Sequence, residues 1–222
     1  MFAGQDQLWL HKLLHHFRHA RHLAVYNSNR YQQAELPMGY ITFDWLIGVS
    51  EGEPLALEAP YLETLDRFVS EQPDYYLGFL SYELKNELEK LHSVHPDSLD
   101  FKPACFFRPE LLLVCSQGEI KVLRNETAIP WDQSKIAALE DAPLPKQSPI
   151  ALSCRTNREQ YLAQVENIRK DIAAGTVYEL NYCMEWFKKD VKTDPIALYR
   201  RDRKSTRLNS SHQSTTRMPS SA

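Results

Sequence analysis

Residues 156–187 read TNREQYLAQVENIRKDIAAGTVYELNYCMEWF, and the fold turns on this run. Thr156 followed three residues later by Glu159 predicts a capping box, in which two side chains close on the free amides of a helix N-terminus. Tyr161, Val165, Ile168 and Ile172 then recur at spacings of four, three and four, which puts them on one helix face. Gly175 stands where a helix ends in a left-handed residue. From Thr176 to Lys188 the period becomes two. Tyr178, Leu180, Tyr182, Met184 and Trp186 share one face of a long strand, and Glu179, Asn181, Cys183 and Glu185 the other. The polar face either meets solvent, as in most half-buried strands, or lines a pocket.

Upstream, Pro143, Pro145 and Pro149 mark a linker. Before it, Leu10, Leu13, Leu14 and Phe17 predict a helix over residues 6–20, with Trp9 flanking the apolar stripe. His11, His15, His19 and His22 form a second row on that helix. Histidines one turn apart can hold a metal, but no cysteine or carboxylate joins this row, so it reads as a solvated face. Strands are expected at Leu23–Tyr26, Tyr40–Val49 and Tyr75–Ser81. Pro60–Ser70 reads as a helix with Leu62, Leu65 and Val69 on one face and proline in its first turn. Ser81 would cap a helix over Tyr82–Leu91. Phe106–Cys115 and Glu119–Arg124 form a strand pair around Gln117-Gly118, and Trp131–Leu139 is a short helix. These elements predict an α+β fold, a mixed or antiparallel sheet sandwich with helices packed outside.

Bulk properties narrow the function. No run of about 18 apolar residues is present to span a membrane. The N-terminus lacks the basic-then-apolar order of a secretory signal, and Cys105, Cys115, Cys154 and Cys183 make no Cys-x-x-Cys pair. A cytoplasmic chain with free thiols is the expectation. Net charge is −3, but residues 203–222 hold four basic groups and no acidic one. Without them, 22 basic residues face 29 acidic ones, a balance of −7 that argues against nucleic acid as a partner.

The block Leu152-Ser153-Cys154-Arg155-Thr156, the helix through Ile172-Ala173-Ala174-Gly175 and the run Tyr178 to Phe187 together resemble the entry to the shared domain of chorismate-utilising enzymes. Tyr178, Asn181 and Phe187 match that family's strand directly. Glu179 stands where glutamine is common, and Thr176 replaces the usual aspartate. Tyr76-Leu77-Gly78-Phe79-Leu80-Ser81-Tyr82-Glu83 resembles the Gly-x-x-Ser-Tyr-Glu segment of component I proteins, nearer to the aminodeoxychorismate synthase branch than to anthranilate synthase. The resemblance implies an anthranilate synthase component I-like fold and amination of chorismate to 4-amino-4-deoxychorismate, with ammonia from a glutamine amidotransferase subunit. It also implies a tryptophan pocket, for which Ser28, Tyr40 and Phe43 are the candidates, though a core serine and core aromatics would read the same way.

The family reaction needs an acid, Mg²⁺ held by carboxylates and, in the aminodeoxychorismate branch, a nucleophilic lysine in Pro-Ile-Lys-Gly-Thr. This chain has no glycine after Gly175 and no acidic residue after Asp202, so no catalytic or metal residue is assigned here. The expected organisation is a component I-like region at 1–142, a linker at 143–150, the start of a chorismate-binding domain at 151–202 and a non-native or disordered tail at 203–222. The tail is Ser/Thr/Arg-rich and unpatterned, and resembles translated adapter sequence. A fragment of this kind is expected to be inactive, and to be poorly soluble or to dimerise through an open sheet edge.

Overall fold

The computed structural model describes residues 5–28, 43–89, 91, 99–126, 129–141, 143 and 149–209. The chain divides into two units, residues 1–142 and 143–222. The first contains α1 (Gln5–His16), β1 (His22–Asn27), β2 (Trp45–Ser50), α2 (Tyr61–Glu71), β3 (Leu77–Leu80), α3 (Lys85–Leu88), β4 (Ala104–Phe107), β5 (Leu111–Ser116), β6 (Glu119–Asn125) and α4 (Gln133–Ala138). The second contains β7 (Ser153–Cys154), α5 (Arg158–Ala173), β8 (Trp186–Phe187) and α6 (Pro195–Asn209). Among the described residues every strand pairing is antiparallel and helices accompany the sheets, as the α+β reading expects.

The first unit is built on a four-stranded sheet of order β1-β2-β5-β6. Its central strands are apolar on both faces because both faces are covered. The register sets Trp45 opposite Cys115, Ile47 opposite Leu113 and Val49 opposite Leu111, and all six are buried on one face. On the other face lie Leu46, Gly48 and Leu112, flanked by Ala24. There the two-stranded β3–β4 sheet packs: Leu77, Phe107 and Leu112 form a buried cluster with Ala24 and Leu46 against it. Gly48 makes room for this layer, since a Cβ there would fall 2.0 Å from Leu77 Cδ1. The Tyr26 hydroxyl donates to the Gly78 carbonyl at 2.7 Å and accepts from its amide at 2.9 Å, which ties β1 to β3. The β5–β6 connection places Gln117 at φ 53° and Gly118 at φ 79°, the pair of left-handed residues that a tight hairpin turn requires.

Several expected boundaries move. Leu10, Leu13 and Leu14 of α1 and Phe17 just beyond it are buried, but the helix ends at His16. His19 falls in a turn and His22 opens β1, so the four histidines never share one helix face. The Phe106–Cys115 strand is two strands. Pro109 cannot donate to a ladder, and the chain leaves β4 after Phe107 to enter β5 at Leu111. Ser81 does cap, accepting from Glu83 N, but the helix is only a 3-10 turn at Tyr82–Leu84 followed by the short α3. Pro60 sits at the N-cap of α2 rather than inside it, and the first amides of that helix donate instead to Glu87, at 2.7 Å from Tyr61 and 3.1 Å from Leu62. Of the Tyr40–Val49 strand, residues 40–42 lie outside the described residues and β2 starts at Trp45.

In the second unit the capping box is one residue later than expected. Asn157 Oδ1 accepts from Gln160 N at 2.8 Å, and Gln160 Oε1 accepts from Asn157 N at 3.1 Å. Gly175, at φ 74°, closes α5 with paired bonds from Gly175 N to Ile172 O and from Thr176 N to Asp171 O, a Schellman end. The long strand over Thr176–Lys188 shrinks to β8. Alternation says which side chains share a face, but a strand also needs a ladder, and among the described residues none lies along 176–184. Tyr178 is consequently 90% exposed. Asp194 caps α6 through Ile196 N and Ala197 N, and the helix runs on to Asn209, across the 202/203 boundary read from composition. Residues 210–222 lie outside the described residues.

Candidate functional site

Ser28 and Phe43 fall at one corner of the four-stranded sheet, where β1 ends and the chain re-enters β2; Tyr40 lies outside the described residues. Both are half-buried. The Ser28 amide and hydroxyl each reach the carbonyl oxygen of Asp44 at 3.1 Å, extending the β1–β2 ladder by one rung. Asp44 is the centre of the corner. Its amide donates to Cys115 O at 2.8 Å, and its carboxylate accepts from Gly118 N at 3.0 Å and lies 3.6 Å from Cys115 Sγ. The acid thus gathers the β5–β6 turn onto the start of β2. Sequence reading passed over it, although an acid directly before a buried strand, with a Gly turn elsewhere in search of an acceptor, was a usable signal.

The segment that carries the family resemblance is organised around Arg155. Its guanidinium holds Glu185 through two bonds, Nε to Oε2 at 2.5 Å and Nη2 to Oε1 at 2.8 Å, and its Cζ lies 4.7 Å above the Phe187 ring. Its amide donates to Glu185 O at 2.9 Å, which continues the β7–β8 pairing. Hydrogen bonding from Arg155 holds the Glu185 carboxyl below the usual carboxylate range, and the same bond raises the guanidinium. The polar side of the expected strand therefore carries a bidentate ion pair at Glu185 rather than a bare solvated acid. Tyr161 of α5 and Tyr182 stand 5.7 Å apart on the same block.

A third cluster joins the two layers of the first unit. Asp74, just before β3, accepts from Arg108 Nε at 2.7 Å and from Arg124 Nη2, while Arg108 Nη2 reaches Glu126 at 2.7 Å. Arg124 also donates to Pro109 O at 3.1 Å. Partial burial pushes the Asp74 carboxyl up, but hydrogen bonds from Arg124, Arg108 and the Tyr75 amide outweigh it and bring it down to about 2. The Glu126 and Asp74 carboxylates raise Arg108 in turn. All four side chains are engaged with one another, so the cluster is a clamp.

Elsewhere, Lys12 Nζ caps the α4 carbonyl of Ala137 at 2.7 Å beside a shallow groove lined by Leu8, Trp9 and Ala137. His11 Nδ1 lies 4.0 Å from Asp141. Among the described residues no three His, Cys, Asp or Glu side chains converge as a metal-ligand group. No helix among them is long and apolar enough to cross a membrane, and the four cysteines are free thiols.

The Arg155–Glu185 pair lies on the Tyr178–Phe187 block, the stretch that carries the family resemblance. A profile of chorismate binding enzymes matches residues 9–211, and the chain belongs to that family. It is 25% identical over 118 residues to an anthranilate synthase component I-like protein of Synechocystis sp., covering 51% of this chain and 24% of that protein. It is 27% identical over 184 residues to anthranilate synthase component 1 of Cereibacter sphaeroides, covering 69% of this chain and 36% of that one. The matched span is thus well under half the length of either curated relative.

Proposed function

We propose that the chain is part of a component I enzyme that aminates chorismate to 4-amino-4-deoxychorismate, in the cytoplasm and with ammonia passed from a glutamine amidotransferase subunit. The family match across residues 9–211 supports the chorismate substrate. The run Gly78 to Asn86 supports this branch. Two of its residues have structural work: Gly78 binds Tyr26, and Ser81 caps the following turn. A second reading, anthranilate synthase component I, is favoured by the names of both curated relatives.

Neither reading places the chemistry on these residues. The acid that protonates the departing hydroxyl, the Mg²⁺ ligands and the nucleophilic lysine belong to motifs that the chain does not contain. Supplied with chorismate, ammonia and Mg²⁺, the 222-residue chain is expected to form no aminated product above a protein-free control. Measurable turnover would overturn that assignment. The branch is decided at the locus, by a continuous read across the codons for Pro195 to Ala222. Continuation into Pro-Ile-Lys-Gly-Thr supports aminodeoxychorismate synthase, whereas Pro-Ile-Ala-Gly-Thr moves the chain to the anthranilate reading.

Tryptophan is the ligand proposed for the corner at Ser28, Tyr40 and Phe43. Calorimetric titration of the chain is expected to show one saturable site. Ser28→Ala should weaken it by about two- to tenfold, the worth of one neutral hydrogen bond. Absence of heat at millimolar tryptophan would leave Ser28 as a rung of the β1–β2 ladder only.

A further inference from the structure

No further inference is drawn: the strongest candidate, the exposed apolar surface patch around the Phe79–Phe101 ring pair at one end of the β3–β4 sheet, carries nothing because nothing in the structure shows what covers it.

Discussion

Gly78→Ala is expected to destabilise the first unit by about 3 kcal/mol or more, a large part of what holds a small unit folded. A Cβ on Gly78 would stand 2.0 Å from the Cys105 carbonyl oxygen and 2.7 Å from Phe106 Cα. Both are β4 backbone, and no side-chain rotation relieves the overlap. β4 would have to move away, taking Phe107 off the Leu77–Leu112 cluster and the Gly78 amide and carbonyl off Tyr26. Gly52→Ala is the control, because its Cβ would meet only Ser50 Oγ at 3.3 Å and Glu110 Oε1 at 3.9 Å. That change should shift stability by no more than about 0.5 kcal/mol, as for an ordinary surface substitution. Urea denaturation followed by circular dichroism separates the two. An unchanged midpoint for Gly78→Ala would mean that the two layers do not pack through β3 and β4 as described.

Residue order carries some parts of this fold and not others. Leu10, Leu13, Leu14 and Phe17 announced α1 because a 3.6-residue stripe is local information, and Gln117-Gly118 announced its hairpin because left-handed residues are. The split between β4 and β5 was local too, since Pro109 stands in the middle of the apolar run, but the continuity of Phe106 to Cys115 in hydrophobicity masked it. Tyr178 to Trp186 shows the limit of pattern. Alternation there is clean, yet a strand exists only where another backbone lies beside it, and no spacing rule states that. The clusters were least legible. Asp44 meets Gly118 across 74 positions, Asp74 meets Arg124 across 50 and Arg155 meets Glu185 across 30. Such pairs follow from register, which the chain determines only after its layers have packed. Ser28 was named only through the resemblance, as a pocket candidate; its bond to Asp44, the next rung of the β1–β2 ladder, was not legible.

Asp74→Asn is expected to cost on the order of 1–2 kcal/mol at neutral pH and to flatten the acid limb of the stability profile. The Asp74 carboxyl is held near 2 in the folded state against an ordinary value of 3.8. A lowered carboxyl contributes stability that is fully present above 3.8 and is lost as pH falls through 2. Taken at face value the shift would amount to somewhat over 2 kcal/mol, but the pair lies near the surface, where water and salt reduce it to about 1. Removing the charge leaves Arg124 and Arg108 sharing Glu126, with Arg124 still bonded to Pro109 O, so the guanidinium groups are not stranded. That sharing is why the loss should be moderate and why the variant should still fold. Between pH 4 and pH 2 the unmodified chain should lose stability more steeply than Asp74→Asn, and added salt should narrow the difference at neutral pH. Parallel acid profiles for the two proteins would locate the acid sensitivity in other carboxylates. Glu126 is the first to examine, since its hydrogen bond to Arg108 lowers it in the same direction.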